Sequence, residues 1–444
     1  MTLALFVNTA SAAWFTAADP IVVGETAPDV GIALAINGDG DGDGLDDLLF
    51  GDPLAGGGNG SVGVFPGGSS GLTAWTGGAA DIIGEASGDQ FGSAVAWGDV
   101  NGDGLADVVI GAPKADPNGL SNAGTVYVFY GPLMGSLLAG NADVILDGAT
   151  AGDAVGSALS VADYDGDSFA DIAIGAPGNS AGGAGAGGVY LIDGISLSSG
   201  FLAATPDFLG ITGQAVGYTL ALAGDVDASA DLDLLVGAPY DGGAGVAYVV
   251  LDAGYATPGP IAAVSTALTG ATLFDRTGDA LAGLGSWNTD AYDDIAIGAP
   301  GHDGAAGNNT GWVYVVKGGP GFVAGASFAL ASVAGILEGV QANDWAGSSL
   351  AGIGDTLGGP KDDLLVGVPY GGLYGYACLV KGQALAVGVP TLLTGPAVKG
   401  TNAVGMVGWA VAGGGSLGGT ADVDFAVGGW ATAQSANATG VWLF

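Results

Sequence analysis

The sequence predicts an all-β fold: a seven-bladed β-propeller of four-stranded antiparallel blades, its ring closed by an N-terminal strand. Three observations predict it. First, an Asp stands four residues before a Gly seven times: Asp47/Gly51, Asp107/Gly111, Asp171/Gly175, Asp233/Gly237, Asp294/Gly298, Asp363/Gly367 and Asp424/Gly428, with those glycines 60, 64, 62, 61, 69 and 61 residues apart. Self-similarity at a nearly fixed period marks a repeat architecture. Second, the three residues inside each interval are apolar, as in Leu48-Leu49-Phe50 and Val108-Val109-Ile110. They do not alternate with polar residues, so each run reads as a strand buried on both faces. Third, neither end of the chain offers the polar cap that an open solenoid needs, whereas a ring removes its own edges by closing.

Each unit has the same parts in order. A Gly in the position of Gly92 opens the first strand (Gly31, Gly156, Gly217, Gly278, Gly347 and Gly408 elsewhere). An acidic loop follows, then the apolar strand. A turn comes next, with Pro53, Pro113, Pro177, Pro239, Pro300 or Pro369, and Trp430 in the seventh unit. Third strands are expected at Thr125–Tyr130, Val189–Ile192, Val246–Leu251, Trp312–Val316, Tyr376–Val380 and Val441–Phe444. Fourth strands are expected at Asp81–Gly84, Asp143–Leu146, Asp207–Gly210 and Thr391–Gly395. Approximate blades are 26–85, 86–147, 148–212, 213–270, 271–339, 340–395 and 396–444 plus 20–25. The sequence stops at Phe444 after a third strand. Pro20–Glu25 resembles Asp81–Glu85 and is expected to supply the missing fourth. Residues 1–19 read as a leader remnant or an extra strand, since Leu3–Val7 duplicates a third strand already present.

Composition narrows the partners. With 6 Lys+Arg against 44 Asp+Glu the formal net charge is −38, which disfavours nucleic acid and anionic membranes. Only Glu25, Glu85 and Glu338 are Glu, so 41 of the acids are Asp. Short carboxylates suit tight metal loops and turns better than a generally acidified surface, although salt adaptation is compatible with the charge. Cys378 is the single cysteine, so no disulfide joins the chain to itself. No run of 18 apolar residues is present.

The acidic loops carry calcium-ligand spacing, with acids on alternate residues and a main-chain carbonyl at the seventh position. The first offers Asp39, Asp41, Asp43, Leu45 and Asp47. The second offers Asp99, Asn101, Asp103, Leu105 and Asp107. The third offers Asp163, Asp165, Asp167, Phe169 and Asp171. The fourth, Asp225, Asp227, Ser229, Asp231 and Asp233, is a looser site. The fifth, Ser286, Asn288, Asp290, Tyr292 and Asp294, is a weak one. The sixth and seventh loops keep Asp363 and Asp424 but lack the acids between, and no calcium is expected there. Magnesium fits less well, because it keeps octahedral, water-rich coordination.

The order Phe91-Gly92, acidic loop, Gly111-Ala112-Pro113 resembles the FG-GAP repeat of the integrin alpha-subunit propeller, over residues 20–444. Phe91 is the only Phe in its slot; Val30, Val155, Val216, Thr277, Ala346 and Val407 stand elsewhere. The resemblance implies calcium loops on a lower face and ligands met on the upper face. Upper-face loops would then be 114–123, 178–187, 240–245 and 301–310, with 87–90 and 341–345. Three side chains are candidates for ligand contact: His302, Trp345 and Trp430. His302, the only histidine, is expected to be exposed in a Gly-rich loop. Cys378 reads as a core residue. The first functional reading is a secreted or cell-surface, calcium-stabilised module for adhesion or recognition of an extracellular protein or glycan, without enzymatic activity and without membrane insertion. The alternatives are a lectin-like glycan-binding propeller and a propeller-based hydrolase or lyase.

Overall fold

The computed structural model describes residues 15–16, 22–23, 32–67, 81–133, 135–252, 259–372, 375–393, 397–399, 406–415, 424–429 and 440–443. The repeats fold as antiparallel meanders of one propeller. The second repeat shows the pattern: Ala94–Gly98 pairs with Asp107–Ala112, which pairs with Thr125–Phe129, which pairs with Val144–Asp147. Asp107–Ala112 is buried at every residue, as are Asp47–Asp52, Asp171–Ala176, Asp233–Ala238 and Asp294–Ala299. The non-alternating apolar runs are therefore strands covered on both faces.

Among the described residues the strands form seven sheets, six of five strands and one of four. Seven like blades of four strands were expected, and this is corrected: six blades are five-stranded. The extra strand comes from the neighbour. In five of the six the connection between the third and fourth strands of one repeat lays a short segment, in parallel, on the outer strand of the preceding blade. Leu137–Leu138 pairs with Asp81–Ile83, Gly200–Phe201 with Val144–Asp147, and Ser327–Ala329 with Ser265–Thr269. These connections are long enough to cover an edge that would otherwise offer unpaired backbone groups. The same device corrects one expected strand. Thr391–Gly395 was expected as the fourth strand of the sixth repeat, but the strand there, Pro390–Leu392, is the fifth strand on Gly335–Glu338. The fourth strand of the sixth repeat is Ala397–Lys399.

The N-terminal segment serves two sheets. Phe15–Thr16 pairs in parallel with Val398 and Lys399, the place that a third-to-fourth connection takes elsewhere. Val22 and Val23 pair antiparallel with Val441 and Gly440, completing the four-stranded sheet with Val407–Gly415 and Asp424–Gly429. Leu3–Val7 lies outside the described residues.

The core lies between sheets. One apolar cluster joins Leu49, Val62 and Ile82 to Val108, Ile110 and Phe129; similar clusters fill each later junction. A further cluster packs Ile36, Leu48 and Phe50 against Ala412, Ala426 and Val441, so the last sheet is seated on the first. Glycines set the spacing. A Cβ on Gly111 would run into the carbonyl of Gly156, and Gly51, Gly175, Gly237, Gly298 and Gly367 meet Gly92, Gly217, Gly278, Gly347 and Gly408 in the same way. The second glycine of each pair also has a positive φ, 82° at Gly156 and 88° at Gly278, where a side chain is strained. These two repeated glycines let backbones of adjacent blades touch.

Candidate cation loops and the opposite face

Every acidic loop joins a first strand to a second, and every Pro turn joins a second strand to a third. Antiparallel pairing therefore puts the loops at one end of the blades and the turns, with the Gly92-type glycines, at the other.

In the first loop Asp39 accepts backbone N–H groups of Gly42, Asp43 and Gly44 at 2.7, 3.1 and 2.8 Å. Asp41 accepts Asp43 N–H and Asp43 accepts Leu45 N–H. The second and third loops repeat the scheme through Asp99, Asn101 and Asp103, and through Asp163, Asp165 and Asp167. In the fourth, Asp225 and Asp227 accept from Ser229 and Ala230. These turns gather the acids. Carboxylate oxygens of Asp39, Asp41 and Asp43 lie within 4.8 Å of one another, as do those of Asp163, Asp165 and Asp171, and of Asp225, Asp227 and Asp233. Such all-oxygen groups fit a hard cation. In the second loop the amide of Asn101 donates to Asp103 at 3.1 Å, so one ligand position is neutral. At its ligand positions the fifth loop holds only Asp290 and Asp294 as acids, with Asn288 donating to Asp294. Buried Asp294 Oδ2 has no hydrogen-bond partner among the described residues.

The ninth-position Asp has a second role that its spacing alone did not separate from metal binding. One oxygen of Asp47, Asp107, Asp171 and Asp233 accepts the N–H of the second loop residue, and the other accepts an N–H beyond the third strand: Gly67, Gly131, Gly194 and Asp252. Asp363, in a loop without a ligand set, does the same with Thr356, Leu357 and Gly382. This Asp therefore ties three strands of the blade together, metal or no metal. Burial pushes its carboxyl up, against the lowering pull of those N–H groups: to about 6 for Asp47, Asp107, Asp171 and Asp294, and to about 7 for Asp233. In the sixth loop a side-chain cation enters instead, since Lys381 Nζ donates to the carbonyls of Leu357 and Gly358. Successive loops are also bonded to each other. Ala106 N–H donates to Asp39 O, Ala170 to Asp99 O, Asp293 to Asp225 O and Asp362 to Ser286 O.

The other end carries a repeat that sequence reading missed. An acid or amide stands three residues before five of the seven Gly92-type glycines, at Asp89, Asp153, Gln214, Asp275 and Asp344, and the last four are buried. Its side chain closes the loop ahead of it. Gln214 accepts Ile211 N–H, Asp275 accepts Thr272 N–H, and Asp344 accepts Val340 and Gln341 N–H. A Tyr in the third strand belongs to the same constellation, with Tyr248 donating to Asp241 beside Gln214. The signal was present as the spacing Asp-x-x-Gly.

His302 belongs to this layer, and the expectation of an exposed histidine is corrected. It is 5% exposed. Its Nδ1 lies 3.0 Å from Asp275, and its ring lies 3.5 Å from that of Trp312. Cys378 is buried, with its thiol pushed up to about 12 by burial. Trp430 lies outside the described residues. Trp345 is half-buried, with the Arg276 guanidinium 5.7 Å from its ring centre. It begins a row of rings, Trp345–Tyr370 at 5.7 Å and Tyr370–Trp409 at 6.3 Å. On the other side of Arg276, which pairs with Asp279 at 2.6 Å, Tyr218 and Tyr240 meet edge to face at 5.6 Å. Leu273 and Phe274, 67% and 79% exposed, extend this surface.

With this geometry in place, comparison with known proteins is decisive for the repeat. The FG-GAP repeat family matches residues 91–129 and 155–192. The chain carries FG-GAP repeats. Among curated proteins, human integrin alpha-IIb is 35% identical over 184 residues, covering 37% of this chain and 17% of that protein. Integrin alpha-3 of Cricetulus griseus is 36% identical over 161 residues, covering 35% and 14%. Human phosphatidylinositol-glycan-specific phospholipase D is 34% identical over 179 residues, covering 38% and 21%. The chain thus spans about a fifth or less of the length of these relatives. Among solved structures, a mutant of AofleA from Arthrobotrys oligospora aligns at a TM-score of 0.39 and 12% identity, covering 84% of this chain and 89% of that one. The two matched repeats are similar to those of integrin alpha subunits, and the Asp163, Asp165 and Asp171 group lies in one of them.

Proposed function

We propose that this FG-GAP protein is a calcium-stabilised, secreted or cell-surface recognition module that meets its ligand on the face opposite the acidic loops. The observation that carries this reading is the division of labour between the two ends of the blades. One end gathers carboxylates into cation-sized groups at Asp39, Asp163 and Asp225. The other exposes rings and apolar side chains, Tyr240 at 49%, Tyr370 at 40% and Phe274 at 79%. Surfaces rich in Tyr, Trp and Arg and poor in Lys are typical binding surfaces. Calcium in the first three loops and the fourth would neutralise clustered charge and brace the turn between first and second strands. The likeness to integrin alpha subunits supports the extracellular placement. No helix among the described residues is long and apolar enough to cross a membrane.

We further propose that the seven sheets close one seven-bladed ring through Val22–Val23 and the cluster joining Ile36 and Phe50 to Ala426 and Val441. A non-enzymatic reading is favoured because His302 is packed against Trp312 and Asp275 rather than presented to solvent.

Chelator and titration test the calcium role. In low salt, EDTA should lower the melting temperature, and calcium added to stripped protein should restore it. Millimolar sites of this kind would each add on the order of 1 kcal/mol at millimolar calcium. An unchanged melting temperature in EDTA would remove calcium from the reading.

A further inference from the structure

We propose that the row of rings on the upper face is a platform for a neutral polysaccharide. This rests on the recognition reading above and names the ligand class. The rings recur at equivalent places in the repeat. Tyr240 and Tyr370 each follow the turn proline, and Tyr218 and Trp409 each follow a Gly92-type glycine. Arg276 and Trp345 share a third place, two residues before that glycine, and both have a positive φ, 58° and 55°. Rings repeated at one register, two repeats apart for Tyr240 and Tyr370 and three for Tyr218 and Trp409, suit a ligand that itself repeats along its length.

Each of these four rings is between 36% and 49% exposed. Their edge-to-face contacts fix their planes before any ligand arrives, which lowers the ordering cost of binding. Fixed, half-exposed rings suit stacking against the C–H faces of sugars. Charge narrows the choice. A molecule of net charge −38 repels acidic polysaccharides. The cation at the centre of the row is already used internally, Arg276 being paired with Asp279 and placed over Trp345. Beside Trp345, whose N–H donates to Asn309 O, the amide of Asn309 donates to Asn343 at 3.3 Å, so polar donors and acceptors adjoin the rings.

The test uses the full chain with calcium. Laminarin, xyloglucan and galactomannan serve as neutral probes and polygalacturonate as the acidic one, read by retardation in native gels and by tryptophan fluorescence. At least one neutral probe should bind and polygalacturonate should not. Tyr240→Ala and Tyr370→Ala should each weaken binding about tenfold or more, with Leu138→Ala, at a blade's outer edge, unchanged. Melting temperature and near-ultraviolet circular dichroism verify that each variant is folded. Binding of none of the neutral probes, preference for the acidic one, or full binding by the folded Tyr240→Ala/Tyr370→Ala double variant would overturn the assignment. If the two tyrosine changes abolish capture of a protein ligand while no polysaccharide binds, the saccharide assignment falls and the recognition reading stands. If they alter neither, both fall.

Discussion

The most regular residue in the sequence is the Asp that ends each acidic loop, and it does two separable things. Asp363 isolates the first. It accepts three backbone N–H groups, from Thr356, Leu357 and Gly382, in a loop that has no ligand set. Replacing it with Ala leaves those buried donors unmatched, and each such group costs about 1–3 kcal/mol. Asp363→Ala should therefore lower stability by about 3 kcal/mol, equally with calcium and with EDTA, in denaturant unfolding. Asp43 isolates the second. It is exposed, accepts Leu45 N–H alone among the described residues, and stands in a carboxylate group with Asp39 and Asp41. Asp43→Asn should leave stability in EDTA unchanged or slightly raised, because a like charge is gone, while shrinking the gain on adding calcium. Equal calcium gains in Asp43→Asn and the parent protein would show that the first loop holds no cation. His302 makes a third case. Packed between Asp275 and Trp312, it should cost about 2 kcal/mol of stability on change to Ala, measured by thermal or denaturant unfolding.

At the scale of the loop and the strand, burial makes stability depend on pH with a definite sign. The carboxyls of Asp47, Asp107, Asp171 and Asp294 sit at about 6 and that of Asp233 at about 7, above the value near 4 of an unfolded chain. The folded state then binds more protons than the unfolded one between about pH 4 and 7, so stability falls as pH rises through that window. Stripped protein should melt at a higher temperature at pH 5 than at pH 7.5. Calcium, which binds the ionised form, should flatten or reverse the slope. A stripped protein equally stable at both pH values would contradict the buried, metal-free state of these acids. This scale also shows how far sequence reaches. The apolar runs and loop acids were legible because burial on both faces and ligand alternation each leave a local pattern. The fifth strands were not, because Leu137–Leu138 or Pro390–Leu392 pairs with a neighbouring repeat, and two or three residues leave no period to detect. The layer around Asp153, Asp275 and Asp344 was visible as a spacing but resembled ordinary turn acids until its side chains were seen to be buried. His302 misled for the same reason: a Gly-rich loop suggests exposure, while the ring contact with Trp312 is invisible in a linear sequence.

At the scale of the whole molecule, the two ends of the sequence behave as one continuous stretch. After Val441 the next structural steps, read around the fold, are Phe15–Thr16 on the sixth repeat's outer strand and Val22–Val23 on the final sheet. Elsewhere those two steps occur in the same order within one connection, as Gly200–Phe201 and then Phe208–Leu209 do in the third repeat. Moving residues 15–31 from the front of the chain to a position after Phe444, through a short Gly/Ser linker, therefore preserves every pairing while changing connectivity. That permuted chain should fold and melt within a few degrees of the parent, since it alters only loop closure. Deleting residues 15–23 should do the opposite. It strips the outer edge from Ala397–Lys399 and one strand from the last sheet, and leaves both edges open to pairing with other chains. The deleted protein should melt well below the parent and self-associate in sedimentation. A deletion that melts like the parent and stays monodisperse would mean that Val22 and Val23 contribute nothing to the stability of the last sheet.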